Sequence, residues 1–491
     1  MKTLLSLVLS VLFSCSAYAQ AIYEDGRYVP ETNPLVLKKV AEWQSLKFGL
    51  LMHWGIYSQW GIVESWSICP EEYGWCERTK GSNPDDYFTY KKEYEGLKNT
   101  FNPYKFNPDK WAKAAKEAGM KYVIFTTKHH DGFCMYDTKY TDYKVTAKDC
   151  PFSSNPRSNI AKEVFDSFRN QGLWAGAYFS KPDWHCPYYW DPKYPPRDRN
   201  VNYGPSEDPE RWQKFVDYTQ NQMLELLTNY GKIDILWLDG GWVAKTSKEE
   251  IVDYYKRAAS KAKDGYLKGR VINQDIKMDE FVKKARKIRP DLIVVDRAVH
   301  GINQNYLTPE NRVPEKTLPY PWESCVISGG GWSYTYDAKY MSGHDGIQLL
   351  VDIVAKGGNL LLNIAPSPQG EWQSGAYRLL RDYADWMKFN SEAIYGTKPL
   401  IPYKENNICM TQKDNGDHFF YYLCKVDEKK MPKEIVIESN QPVKGSRVTM
   451  LGSKVSLDWT KRGDGFVINI PRTLRNNPPC DFVWTFKVSN N

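Results

Sequence analysis

"DPERWQKFVDYTQNQMLELLTNYGKIDILWLD", residues 208–239, decides the fold. Trp212, Phe215, Thr219, Met223 and Leu226 recur at helical intervals on one face, and Gly231 stops the helix. The mostly apolar run 233–238 then reads as a strand covered on both faces, and it ends on a carboxylate, Asp239.

The same unit recurs along the chain. "PDKWAKAAKEAG" leads into "YVIFTTKHHDGF", "SNIAKEVFDSFRNQG" into "LWAGAYFS", "MDEFVKKARKIRP" into "LIVVDRA", and "GIQLLVDIVAKGG" into "NLLLNIAP", with "FGLLMHWG" as a first strand. Helices alternating with doubly covered strands over about 350 residues favour a (β/α)₈ TIM barrel. A doubly wound open sheet is the alternative, but no G-x-G-x-x-G turn follows any strand. From Pro399 the grammar changes to short alternating strands such as "HFFYYLCKV", "EIVIES" and "FVWTFKV", with turns at Asn415-Gly416 and Asp464-Gly465. The expected organisation is a leader at 1–19, a barrel over 20–398 and an all-β sandwich over 399–491.

Composition narrows the function. Of 491 residues 42% are hydrophobic and 25% charged, a normal globular balance. The net charge of +7 is spread among acidic residues with no basic block, which argues against nucleic acid. Residues 1–19 place Lys2 before an apolar run and close on Ala17-Tyr18-Ala19, the pattern of a cleavable secretory signal, so a periplasmic or secreted location is expected. A lipoprotein reading through Cys15 is weakened by bulky Phe13. No later stretch is apolar enough to span a membrane. Removing Cys15 leaves nine of the ten cysteines, an odd number, so at least one is free. Cys69 and Cys76 are close enough in sequence to bridge, whereas Cys134 and Cys424 read as small core residues.

In a barrel the C-terminal strand ends surround one pocket. Here they carry His53, His129 and His130, Tyr178, Trp237 and Asp239, Arg297 and Asn363, with Glu64, Trp66, Glu310, Glu323 and Trp332 in nearby loops. A metal site is disfavoured on the reasoning that the adjacent residues His129 and His130 point to opposite faces of a strand. Aromatic faces beside His, Glu and Arg suit a sugar, with its apolar C–H faces and ring of hydroxyls. A sugar-cleaving site needs two carboxyl groups across the glycosidic bond. Asp239 fits one of them, and Gly240-Gly241 would let a substrate approach it closely.

At this point the chain resembles the α-L-fucosidases of glycoside hydrolase family 29. The resemblance rests on "FGLLMHWGIYS", "ESW" at 64–66, "KYVIFTTKHHDGFCMYDTKYTDY", "AGAYFS", "DILWLDGGW", "VVDRA" and "GGNLLLNIAP". It implies that Asp239 is the nucleophile of a retaining double displacement and that Glu310 is the acid/base, with Glu315 and Glu323 as competitors. It further implies that His53, Glu64, Trp66, His129, His130, Tyr178, Trp237 and Arg297 line the fucose subsite, that Glu323 is a sugar or loop contact, and that Trp332 lies against the sugar methyl. No cofactor is expected, and the expected partners are fucosylated oligosaccharides or glycoconjugates. Two rivals are a catalytically inactive sugar-binding relative and a metal-dependent barrel hydrolase. Linkage preference would depend on loops such as 181–206.

Overall fold

A computed structural model describes residues 28–262 and 269–489; the leader expected at 1–19, with Cys15, lies outside them. Seven parallel strands form the main sheet: β1 (Phe48–Met52), β2 (Tyr122–Lys128), β3 (Trp174–Ser180), β4 (Ile235–Asp239), β5 (Ile293–Asp296), β6 (Glu323–Ile327) and β7 (Asn359–Asn363). Their spatial order is β5-β4-β3-β2-β1-β7-β6, a TIM-like barrel wall.

Among the described residues seven regular strands stand where eight are expected. The gap between β5 and β6 is filled by residues 303–311, which run down beside β5 and then up beside β6. Asp296 N–H donates to Asn303 O, Asn305 N–H to Val294 O, Glu323 N–H to Leu307 O and Cys325 N–H to Pro309 O. Pro309 has no N–H to give, and Asn311 has a positive φ of 51°, so this pass cannot become a regular strand.

Several helices start as their sequences dictate. Asn107 and Asp208 accept from the backbone N–H three residues on, and each is followed by proline in the first turn, giving helices Pro108–Glu117 and Pro209–Asn229. Gly119, Gly172 and Gly231 all adopt positive φ before their strands.

Alternation along the strands divides the core in two. Phe48, Leu50, Val123, Phe125, Ala177, Leu236, Val294 and Leu362 belong to the cluster that includes the surrounding helices. Leu51, Tyr122, Ile124, Tyr178, Ile235, Trp237, Ile293, Val295 and Leu361 form an interior cluster. Gly49 and Gly176 belong to the same inward rows: a Cβ on the first would lie 2.3 Å from the Tyr122 ring, and on the second 2.3 Å from Ile124 Cδ1. Trp43 of helix Pro34–Leu46 stacks on Tyr306 at 3.9 Å and joins this interior cluster. Continuing the inward rows by two residues reaches His53, Asp239, Arg297 and Asn363, so the pleat itself gathers these polar groups.

The C-terminal strands form two antiparallel sheets. In spatial order the larger contains Ser456–Leu457, Arg447–Met450, Val483–Ser489, His418–Leu423, Ile408–Gln412 and Lys398–Glu405. The smaller has Glu434–Ile437, Gly465–Asn469 and Trp459–Arg462. Ile435, Ile468 and Phe466 of one share a core with Phe420, Met450 and Phe486 of the other. Trp386 of helix Ser374–Ile394 donates to Val483 O at 2.9 Å, tying the sandwich to the barrel's outer helices. Among the described residues no helix is long and apolar enough to cross a membrane.

Candidate active site

Asp239 ends β4 with 19% of its side chain exposed. Its Oδ2 accepts from Tyr178 OH at 2.7 Å and its Oδ1 from Arg297 Nη1 at 3.2 Å, while His130 Nε2 stands 3.8 Å from Oδ2. Burial alone would raise the carboxyl's pKa. Arg297, His130, the Tyr178 hydroxyl and the Gly240 N–H together outweigh burial and hold it well below the usual carboxylate range.

Arg297 follows β5 and serves two carboxyls. Its other terminal nitrogen donates to Glu310 Oε2, and its Nε to Thr308 Oγ1 at 3.2 Å. Glu310, 37% exposed, also accepts from Trp332 Nε1 at 3.1 Å. The irregular pass that completes the barrel wall thus delivers Glu310 to the site, bridged by one guanidinium to Asp239. Glu315 is exposed, and its carbonyl accepts from Tyr403 of the sandwich.

Glu323, expected as a sugar or loop contact, stands at the start of β6, one layer below the pocket. It is fully buried, accepting from Tyr122 OH at 2.6 Å and Trp237 Nε1 at 3.4 Å. Burial raises its pKa to about 7, with those two bonds opposing. Trp237 is buried behind Tyr178, stacked at 5.3 Å, with the Arg297 guanidinium 5.1 Å from its ring.

The three histidines are buried, and burial lowers the pKa of each, to about 4 for His53 and about 3 for His130. Asn363 fixes His53. The amide nitrogen of Asn363 donates to Trp332 O at 2.8 Å, so its oxygen faces His53 Nδ1 at 3.1 Å. Nδ1 therefore carries the hydrogen and Nε2 is left as an acceptor. His129 Nδ1 pairs with Ser65 Oγ at 2.5 Å, and His130 packs against Trp66 at 5.2 Å and Trp184 at 5.1 Å.

The sequence argument against a metal fails on geometry. β2 ends at Lys128, its register shifts at Thr126/Lys128, and the His129 and His130 rings lie 4.1 Å apart. Ligand atoms of His129, His130 and Asp239 lie within 4.8 Å of one another. A cation there would compete with Arg297 and with the Tyr178 hydroxyl for the Asp239 oxygens.

Glu64 is buried with a positive φ of 33°, strain that is unusual outside glycine. Its backbone N–H donates to Ser333 Oγ at 3.3 Å. Burial raises its pKa to about 8, and Glu310 and Asp239 push in the same direction. Glu64 Oε1 and His130 Nδ1 are buried polar atoms with no hydrogen-bond partner among the described residues, an arrangement that costs free energy until a ligand supplies one.

Trp332 stands 5.3 Å from the His53 ring, so the pocket wall runs from Glu310 through Trp332 to His53. Trp54, next to His53 in sequence, faces the helices, edge-on to Trp111 at 5.5 Å. Gly240 and Gly241 serve the fold, not substrate approach: a Cβ on Gly240 would lie 2.3 Å from Pro182 Cδ, and on Gly241 2.9 Å from Arg297 O. Ser65 and Arg199 escaped the sequence reading. Arg199 lies over Trp66 at 4.9 Å and Trp242 at 5.1 Å and pairs with Glu71. The signal available for Ser65 is its place inside "ESW", between Glu64 and Trp66; Arg199 has none. The Cys69 and Cys76 thiols are buried and unbridged, grouped with Glu71 within 4.8 Å.

A family model described as alpha-L-fucosidase matches residues 15–392, and one described as the alpha-L-fucosidase C-terminal domain matches residues 405–489. The tissue alpha-L-fucosidase of Bos taurus is 27% identical over 488 residues, covering 94% of this chain and 91% of its own. The structure of alpha-L-fucosidase isoenzyme 1 from Paenibacillus thiaminolyticus superposes with a TM-score of 0.71 at 27% identity, covering 93% of this chain and 99% of that one. The Thermotoga maritima alpha-fucosidase fold is similar too, with a TM-score of 0.67 at 24% identity over 94% of this chain and all of the other.

Proposed function

The chain belongs to the α-L-fucosidase family, glycoside hydrolase family 29, and from that premise we propose that it hydrolyses terminal α-L-fucosyl residues of glycans with retention of configuration. One observation carries the reading: the Arg297 guanidinium holds Asp239 and Glu310 together at the mouth of a barrel. Retaining enzymes hold their two carboxyls about 5–5.5 Å apart, and one guanidinium touching both acids is compatible with that spacing.

Asp239 attacks the anomeric carbon as a carboxylate, which its lowered pKa keeps available. Glu310 gives a proton to the leaving oxygen and then activates water. Glu310 Oε2 is held by Arg297 and Oε1 by Trp332, so entry of the glycosidic oxygen has to displace one of these contacts. Unpartnered Glu64 Oε1, His130 Nδ1 and the free Nε2 of His53 supply hydrogen-bonding positions for sugar hydroxyls. Trp66, His129, Tyr178 and Trp237 complete or back the subsite, and the Trp332 face takes the methyl group. The leader at 1–19 directs the enzyme to the periplasm or the outside of the cell.

Proton NMR of an aryl α-L-fucoside during hydrolysis tests the mechanism. The first anomer to accumulate is expected to be α-L-fucose, before mutarotation. First release of the β anomer would overturn double displacement.

A further inference from the structure

Lys181-Pro182-Asp183-Trp184, the four residues after β3, take no part in the chemistry above, yet they touch the ends of three other strands. Lys181 is fully buried; its N–H donates to Asp239 O at 2.9 Å, and its Nζ meets Asp296 Oδ1 at 2.5 Å. β4 separates β3 from β5 in the sheet, so this side chain spans from one neighbour of the nucleophile's strand to the other. Asp296 ends β5 immediately before Arg297, whose own N–H donates to Leu238 O at 3.2 Å. Toward β2, Asp183 pairs with buried Lys128 at 3.1 Å, and Trp184 N–H donates to His130 O at 2.7 Å.

Two glycines admit this wedge. A Cβ on Gly132 would lie 2.2 Å from Asp183 Oδ1, and a Cβ on Gly240 2.3 Å from Pro182 Cδ. Both have positive φ, 81° and 86°. Substituting either would press on the segment as well as strain its own backbone.

We propose that Lys181 is a positioning residue, fixing Asp239 through the backbone and Arg297 through Asp296. A buried ion pair adds little net stability over apolar packing of the same volume, so stability alone is a poor account of it. Its geometric effect is specific. It locks the relative height of the β4 and β5 ends, and that height sets whether Arg297 Nη1 reaches Asp239 Oδ1.

The test compares Lys181→Met and Lys181→Arg with wild type, reading kcat/KM for an aryl α-L-fucoside against pH together with the melting temperature. Arg297, His130 and Tyr178 face the Asp239 carboxyl directly, and Glu64, Glu310, His53 and His129 surround it. Lys181→Met should lower kcat/KM by roughly 10- to 100-fold. It should also move the acid limb to higher pH, because Asp239 loses the close approach of Arg297. Lys181→Arg should return most of the rate and the limb. A Lys181→Met enzyme that melts earlier but keeps the wild-type limb, or keeps the wild-type rate, overturns the proposal. Should Lys181→Met fail to fold, Lys181→Met/Asp296→Leu removes both charges and must show the same shifted limb. The proposal rests on the fucosidase reading: an inactive wild type sinks both, whereas an active wild type with unaffected Lys181 variants sinks this one alone.

Discussion

Arg297 Nη1 stands 3.2 Å from Asp239 Oδ1, the closest cation to the carboxylate at the end of β4. Its charge offsets the burial that would otherwise push Asp239 toward protonation. An attacking carboxylate must be ionised, so activity falls as pH drops through its folded-state pKa. Asp239 in the wild type therefore contributes no acid limb to kcat/KM above the ordinary aspartate value, about 3.9. In Arg297→Gln the limb should rise past that value, along with a loss of rate. A pH profile of kcat/KM, which reports the free enzyme, checks this. An unchanged limb would show that Tyr178 and His130 suffice.

Asp239→Gly should lower turnover by roughly 10³-fold or more, since it removes the carboxylate on which the covalent intermediate is proposed to form. The space left by the carboxylate admits a small anion. Azide should restore cleavage of an activated aryl fucoside and yield β-fucosyl azide, identified by mass spectrometry and NMR. Restoration with no azide adduct would mean that water, not Asp239, is the attacking group.

Most of the barrel is legible in the sequence because its helices carry their own start and stop signals, as Asp208-Pro209 and Gly231 show. β6 is not, since residues 297–322 place no helix before it and "ESCVI" is neither alternating nor strongly apolar. Strand ends reveal which residues gather at the pocket, and His53, Asp239 and Arg297 are found that way. They do not reveal depth. Glu310 and Glu323 lie thirteen residues apart in similar surroundings, and the hydrogen bonds of an irregular segment alone put one at the mouth and the other beneath it. Nor does local pattern show contacts across strands, which is why Lys181 read as part of a substrate loop and Gly240 as room for a ligand.

Buried acids give a prediction about stability. Burial raises Glu323 to about 7 and Glu64 to about 8, above the unfolded glutamate value of about 4.3. Between those values the folded state binds more protons than the unfolded one, so each glutamate makes stability fall as pH rises from about 4.3 through its folded pKa. Glu323→Gln keeps the shape and cannot ionise. It should therefore flatten the decline in melting temperature between pH 5 and 8, by about 2 °C or more. Glu64→Gln should act in the same direction. Calorimetry across that range checks both, and a slope as steep as wild type in both variants would show these acids to be ionised at no cost.

Glu310, Glu315 and Glu323 can be separated by how each depends on the leaving group. An acid matters in proportion to how poor the leaving group is. An oligosaccharide alkoxide needs a proton, whereas a nitrophenolate departs as a stable anion. Glu310 alone of the three reaches Asp239 through Arg297 and is partly open to solvent. Glu310→Gln should cut hydrolysis of natural fucosides by roughly 10²- to 10⁴-fold, yet leave fucosyl-enzyme formation from a nitrophenyl fucoside comparatively fast. Water would then lack its base, the intermediate would accumulate, and azide would speed its breakdown. Trp332→Phe removes the N–H that holds Glu310 Oε1 and also shrinks the face offered to the sugar methyl, so it should show the same split in weaker form on top of a loss common to both kinds of fucoside. Glu315→Gln should match wild type, and Glu323→Gln should alter stability without any dependence on the leaving group. Stopped-flow bursts on nitrophenyl fucoside, set beside fucose release from oligosaccharides, decide the matter. Leaving-group dependence in Glu323→Gln with none in Glu310→Gln would move the acid to the layer below the pocket and overturn the assignment.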